Sequence, residues 1–228
     1  MDALYFTSGQ VLLIDKPLEW TSFQVVNKLR WAIRKNFNIK KIKVGHAGTL
    51  DPLATGLLVI CTGKMTKQIN TFQGQEKEYT GTIVLGSTTP SYDLETEINA
   101  TFPTEHITEE RIKATTSTFI GNIEQYPPVF SAVKKDGKRL YQFARAGQDV
   151  EIKPRQVTIS EFEITKIEGK NVDFRVVCSK GTYIRSLAHD FGKALDSGAH
   201  LSALRRTRIG DFKVEDAISP EEFVESLG

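Results

Sequence analysis

Two cysteines in 228 residues, and no run approaching the roughly 20 apolar residues of a membrane-spanning helix, exclude a disulfide scaffold and a helical membrane protein. Cys61 and Cys178 each sit in an apolar, strand-like setting, which predicts reduced core residues of a cytoplasmic protein. The N-terminus lacks a basic region followed by an apolar core, so no signal peptide is expected. Histidine is scarce as well. His46, His106, His189 and His200 are scattered without His or Cys partners at ligand spacing, and no metal is expected. No internal repeat or low-complexity linker interrupts the chain, which reads as one continuous mixed α+β domain, 1–228.

Net charge is also nearly absent, at +2, but the signs are segregated. From Trp20 to Leu50 there are seven Lys or Arg and no acid; from Glu78 to Glu110 there are seven acids and no Lys or Arg. Either block suits a solvated face, and the separation also suits a basic side turned toward a polyanion. The run from Gly121 to Arg155 holds seven basic residues against four acids, with aromatics among them. It reads as an exposed polar hairpin or as an excursion that grips RNA through phosphates and stacking.

What is abundant is glycine around one carboxylate. Gly45 to Gly63 reads GHAGTLDPLATGLLVICTG and packs four glycines around Asp51. Pro52 biases Asp51 toward extended backbone. One reading makes Asp51 a helix N-cap with Pro52 at the first helical position; the other makes it a reactive carboxylate in a loop whose backbone closely approaches a ligand. A glycosidase needs two carboxylates facing the sugar, and this stretch has one. A partner carboxylate could still arrive from elsewhere in the fold. A carboxylate kept ionised in a dry pocket needs a cation beside it; Arg185, with its planar two-bond grip, is the candidate, and a surface position on its helix is the alternative.

Around this stretch the pattern predicts strands over Gln10–Asp15, Leu57–Cys61, Glu78–Leu85, Gln156–Ile167 and Asn171–Val177. Thr21 or Ser22 caps a helix with Phe23, Val26, Leu29 and Ile33 on its apolar face and Lys28, Arg30, Arg34 and Lys35 opposite. Further helices are expected over Thr66–Phe72, from Thr108 through Phe119, and after the Gly181 turn through Leu187 and Leu195. Ser219-Pro220-Glu221-Glu222 is a capping box with proline at the first helical position.

GHAGTLDPLATG, VLLIDKP, YPPVFSAVKKDGKRLYQFARAG, KGTYIRSLAHDFG and AHLSALRR are spread over nearly the whole chain. Together they resemble the TruB family of tRNA pseudouridine synthases. The resemblance implies the pseudouridine synthase fold, a mixed, mainly antiparallel central sheet flanked by helices, with an inserted thumb hairpin over about 121–155. It implies isomerisation of uridine 55 in the tRNA T-loop after the base is flipped out. Asp51 matches the nucleophile, attacking ribose or uracil. Tyr79 matches the base-stacking tyrosine implicated in proton abstraction, and Arg185 the arginine paired with the catalytic aspartate. His46 matches the T-loop-contacting histidine, and Tyr183 and Leu204 residues lining the uridine pocket. Lys134, Lys135, Lys138 and Arg139 of the thumb, with Arg205 and Arg206, are expected on RNA phosphates. No cofactor, essential metal, membrane or obligatory protein partner is implied for a monomeric enzyme acting on the T-arm.

Two departures stand out: the chain ends without room for the usual C-terminal PUA domain, and Pro90 stands where many members carry Asp, with Asp93 nearby. The competing expectations are a non-catalytic tRNA-folding module and a guide-RNA-dependent pseudouridylation subunit.

Overall fold

A computed structural model of the chain describes residues 2–131, 133–135, 137–148 and 150–228, with the backbone alone for 134, 135, 139, 141, 144 and 145. In chain order the elements are α1 (Ala3–Ser8), β1 (Val11–Lys16), α2 (Ser22–Asn36), β2 (Val44–His46), β3 (Ala54–Thr62), α3 (Ile69–Gly74), β4 (Lys77–Leu85), β5 (Ser87–Thr88), β6 (Ala100–Thr101), α4 (Glu109–Thr115) and β7 (Gly121–Gln125). They continue with β8 (Lys134–Lys135), β9 (Lys138–Arg139), α5 (Leu140–Arg145), β10 (Arg155–Glu168), β11 (Asn171–Cys178), α6 (Ile184–Ala194), β12 (Ala199–Ile209), β13 (Phe212–Lys213) and α7 (Pro220–Glu225). The chain divides into two compact units, one holding the residues up to Tyr79 with Leu204–Gly228, the other Thr80–Ala203. β4 and β12 run through both. Among the described residues no helix is long and apolar enough to cross a membrane.

In the first unit β3 is the central strand. β1 and β2 pair with it antiparallel, and Leu204, Arg205 and Arg206 of β12 pair with Ala54, Thr55 and Gly56 in parallel. Its apolar run is continuous because both faces are covered. Leu58 and Ile60 pack with Phe6, Val26, Leu29, Ile33 and Phe223, whereas Leu57 and Val59 pack with Ala47, Ile209 and Val214. Gly56 is required by the parallel pairing: it sits at φ +103°, and a Cβ there would lie 2.3 Å from the Arg206 carbonyl oxygen.

α2 starts at a capping box. Thr21 Oγ1 accepts from Gln24 N, and the Gln24 side chain accepts from Thr21 N. Its buried stripe is Val25, Val26, Leu29, Ala32 and Ile33. Burying each large aliphatic is worth roughly 1.5–3 kcal/mol, against about 1 kcal/mol for the cap, so packing seats this helix. Phe23, expected on that stripe, is 62% exposed instead. The expected basic face is partly consumed internally: Lys28 pairs with Glu221, and Arg30 and Arg34 donate to the Val44 and Ile39 carbonyls.

In the second unit the strand order is β4-β11-β10-β7. β10 and β11 form the expected antiparallel pair, with Phe162 opposite Val176 and Glu168 opposite Asn171, and β7 pairs antiparallel with the start of β10. Phe119, Phe162, Phe174 and Phe191 meet ring to ring at 5.4–6.2 Å beneath α6. The excursion between β7 and β10 carries the two-residue hairpin β8–β9 and α5; Gly121–Gln125 belongs to the sheet and not to the excursion. The helix capped by Thr108 ends at Thr115 and continues as a 3₁₀ turn to Phe119. The architecture is α+β with a mixed, mainly antiparallel sheet flanked by helices, as the sequence predicts. Cys61 and Cys178 are buried and free, and burial pushes the Cys61 thiol up to about 11, which leaves it inert.

Candidate active site

Asp51 is half-buried in the loop between β2 and β3. Its backbone is held on both flanks. On one side Ser22, the first residue of α2, accepts from Leu50 N at 2.8 Å and donates to Leu50 O at 3.1 Å. On the other, the Pro52 carbonyl accepts from Glu19 N at 2.8 Å and from Lys16 Nζ at 3.3 Å. Ala54 N donates to Asp51 O at 3.1 Å, closing a turn from which β3 departs. Asp51 therefore opens a turn and caps no helix, which removes the N-cap reading.

Arg206 is the third anchor of this loop. It is only 1% exposed, and its guanidinium donates to three main-chain carbonyls: Nε to Leu57 at 2.8 Å, Nη2 to Gly48 at 3.1 Å and Nη1 to Thr49 at 3.4 Å. The expectation that Arg206 meets an RNA phosphate is corrected by its burial and these partners, because the donors face backbone on both arms of the Asp51 loop. Arg205 points the other way, makes a two-bond pair with Asp15 at 3.0 and 2.6 Å, and remains 40% exposed.

Lys16 has no role in the sequence reading beyond closing VLLIDKP. It is fully buried and donates to the carbonyls of Trp20 at 2.5 Å and Pro17 at 2.9 Å besides Pro52. Burial lowers its pKa to about 8; the Asp51 charge opposes that shift and the Arg206 charge adds to it. One cation coupled to the Asp51 carboxylate is thus an ammonium held by three carbonyls. Only the short DKP turn hints at this in the sequence.

A titration follows. Below pH 8 Lys16 is charged in both folded and unfolded chains; between about 8 and its ordinary 10.5 the unfolded chain holds the proton and the folded chain does not. Stability must therefore rise with pH through that window relative to Lys16→Met. Turnover is expected to move oppositely, falling as pH rises through about 8 as the cation beside Asp51 discharges. Urea unfolding of both proteins at pH 7.5 and 10, with a kcat profile, checks both signs. A flat stability difference would mean that Lys16 stays charged.

His46, at the end of β2, is half-buried with Nδ1 unpartnered among the described residues. Burial first, and the Arg206 charge second, lower its pKa, so the ring is neutral at neutral pH. Leu204 faces Ala54 across the parallel pairing, which sets it at the exit of the Asp51 turn. Tyr79 on β4 is buried, at 8% exposure. The first unit thus supplies Asp51, His46, Tyr79 and Leu204 of the expected residues.

The second unit supplies Tyr183 and Arg185 at the start of α6. The Gln125 amide, at the end of β7, accepts from Tyr183 N at 2.7 Å and donates to Tyr183 O at 3.0 Å, and the Arg155 guanidinium lies over the Tyr183 ring at 5.4 Å. Arg185 is 4% exposed; Nη1 donates to Ser91 O at 3.1 Å and Nε lies 3.5 Å from Asp93 Oδ2. Asp93 is itself buried, and its Oδ1 accepts from Glu95 N. Pro90 is exposed, so the carboxylate that this loop turns toward Arg185 is Asp93. Lys138 is exposed on β9; the side chains of Lys134, Lys135 and Arg139 lie outside the described residues. Among the described residues no three His, Cys, Asp or Glu side chains are placed to hold a metal ion.

A second basic feature is not legible as a unit in the sequence. A cavity of about 270 Å³ in the first unit is lined by Lys41, Lys43, Lys64 and Lys67 with Thr7 and Thr66. Among the described residues none of the four lysines is paired with an acid, unlike Lys28, Lys113 and Lys166.

Residues 34–184 match the family profile described as the N-terminal domain of TruB family pseudouridylate synthases, and residues 185–227 that of the tRNA pseudouridylate synthase B C-terminal domain. The chain is 65% identical over 223 residues to tRNA pseudouridine synthase B of Flavobacterium johnsoniae, covering 97% of each, and 60% identical over 222 residues to that of Phocaeicola vulgatus, covering 97% of this chain and 94% of the relative. Among solved structures it resembles a chain of a Cbf5–Nop10–Gar1 complex, with a TM-score of 0.72 and 34% identity over 97% of this chain; it spans 55% of that chain's length. With two profiles and near-complete overlap with its relatives behind it, the chain belongs to the TruB family of pseudouridylate synthases.

Proposed function

We propose that this protein isomerises uridine to pseudouridine at position 55 in the T-loop of tRNA, acting in the cytoplasm as a monomer without a protein partner. In that reaction the N1–C1′ bond breaks, the ring turns, C5–C1′ forms, and the proton lost from C5 is balanced by one gained at N1. Asp51 is the nucleophile, with Tyr79 and Arg185 as the other catalytic residues. His46, Tyr183 and Leu204 are assigned to contacts with the target nucleotide. The observation that carries this reading is the Asp51 turn, clamped by Ser22, Lys16 and Arg206 so that one carboxylate is displayed with a cation acting on it. A folding module has no use for such a group. Catalysis does, because a preorganised charge costs no reorganisation during reaction.

The test is purified protein with an unmodified tRNA transcript, without guide RNA or cofactor. Pseudouridine at the T-loop site alone is the expected product. The likeness to a subunit of a Cbf5–Nop10–Gar1 complex makes a partner-dependent enzyme the second reading; activity appearing only when a guide RNA is added would favour it.

RNA binding is proposed to use the thumb's Lys134, Lys135, Lys138 and Arg139, together with Arg205 and the four-lysine cavity. Ammonium groups lining a concavity without an acid suit a phosphate backbone. Replacing Lys43 and Lys64 by Gln is expected to flatten the log–log salt dependence of tRNA binding by about 0.7–0.9 for each phosphate that is no longer neutralised. An unchanged slope would take the cavity out of the interface.

A further inference from the structure

The loop that supplies the partners of Arg185 contains a residue in a conformation its side chain disfavours. Tyr92 lies at φ +64°, in the left-handed region, which a bulky residue occupies only under strain. It stands between Ser91, whose carbonyl accepts from Arg185, and Asp93, whose carboxylate pairs with it. Moving the Tyr92 backbone to an ordinary conformation would swing both groups away from the guanidinium. Three interactions hold it. Tyr92 N donates to Thr89 O at 3.1 Å, Tyr92 O accepts from Leu201 N at 2.9 Å, and the phenol ring lies flat on the His189 imidazole, with centroids 3.9 Å apart and planes at 11°.

His189 follows Arg185 by one turn of α6, so both side chains leave the helix on the same side. Among the described residues the Tyr92 stack is the ring contact that this imidazole makes. Its Nδ1 is buried and unpartnered among the described residues, which is costly for a group that only fills space. Burial, with the Lys193 charge second, lowers its pKa to about 4, so at neutral pH it stacks as a neutral ring and adds no cation beside Arg185.

We propose that the Tyr92–His189 stack is a positioning device for Arg185, clamping the left-handed bend that aims the Ser91 carbonyl and the Asp93 carboxylate at its guanidinium. Neither ring is a catalytic residue. This role rests on the reading of Arg185 as a catalytic residue, and it assigns the strain at Tyr92 to the orientation of one side chain.

The test measures single-turnover rate, KM and melting temperature for His189→Ala, His189→Phe and Tyr92→Gly. His189→Ala and Tyr92→Gly are expected to lower the rate about tenfold or more with KM within about twofold. His189→Phe is expected to recover most of it, because phenyl keeps the stack and leaves no polar atom unpaired. Tyr92→Gly is the informative partner, since glycine relieves the backbone strain; a slower enzyme that melts no lower separates positioning from stability. In an Arg185→Gln background the His189→Ala loss is expected to disappear. A His189→Ala protein with the wild-type rate, a His189→Phe protein as slow as His189→Ala, or a loss that persists undiminished in the Arg185→Gln background would overturn the stack's role while leaving Arg185 in place. Wild-type turnover by Arg185→Gln alone would overturn the reading of Arg185 and the stack's role with it.

Discussion

Asp51→Asn is expected to bind tRNA as tightly as the parent protein and to lose turnover by at least about 10⁴-fold. The amide is nearly the shape of the carboxylate, and the turn around it is held through main-chain groups of Leu50, Pro52 and Ala54. Fold and RNA surface are thus expected to be preserved while the proposed nucleophile is gone. A residual rate within about tenfold of wild type, roughly 1.4 kcal/mol of barrier, would remove Asp51 from the chemistry. The variant has a second readout. Because the Asp51 charge supports protonation of Lys16, its loss is expected to move the Lys16 pKa further below about 8, seen as a lower-pH onset of the stability rise. Nuclear magnetic resonance of the Lys16 side chain would report the same shift.

Arg206→Met is expected to cost the fold rather than RNA binding. Three carbonyls, of Gly48, Thr49 and Leu57, would be left where the guanidinium now sits. The buried Leu57 carbonyl left unsatisfied costs about 1–3 kcal/mol, the part-buried Gly48 and Thr49 carbonyls less because water can reach them, and breaking a buried charged network costs roughly 3–5 kcal/mol overall. Urea unfolding measures it, and Arg206→Lys, which can keep one or two of the bonds, is expected to fall between the two. The folded fraction is expected to bind tRNA with the parent salt slope. A slope flattened by about 0.7–0.9 with stability unchanged would return Arg206 to the phosphates.

These two arginines, Arg205 and Arg206, show where sequence reading reaches its limit. Adjacent on β12 and alike in sequence, they project to opposite sides of a strand, one to Asp15 at the surface and one to backbone in the interior. Nothing local distinguishes them, because the deciding partners Asp15 and Leu57 lie 190 and 149 residues upstream. The same is true of Lys16, whose acceptors include a Pro52 carbonyl invisible to any pattern. By contrast, the cap of α2 at Thr21 or Ser22, the capping box at Ser219–Glu222, the β10–β11 pair and the Gly181 turn before α6 are legible, since each is decided by neighbours in the chain. Phe23 is misplaced by the pattern because a helical repeat admits two adjacent stripes, and Val25 and Ala32 select the other one. Asp93 is visible in the sequence as a carboxylate near Pro90 but not as the partner of Arg185, because the bend at Tyr92 that turns it inward is a backbone conformation no residue type there announces.

The anchoring of the Asp51 loop has a temporal consequence. Ser22 and Lys16 emerge from the ribosome before the loop does, but Arg206 follows it by 149 residues, counted from its Leu57 acceptor. A nascent chain can therefore collapse its first helix and strands around a loop that still lacks its deepest support. The Asp51 turn gains this anchor when β12 pairs beside β3, with Gly56 leaving room for the Arg206 backbone. Synthesis order thus leaves the Asp51 turn without its Arg206 anchor until β12 has been made, and chains interrupted before β12 carry GHAGTLDPLATG without the clamp that holds it.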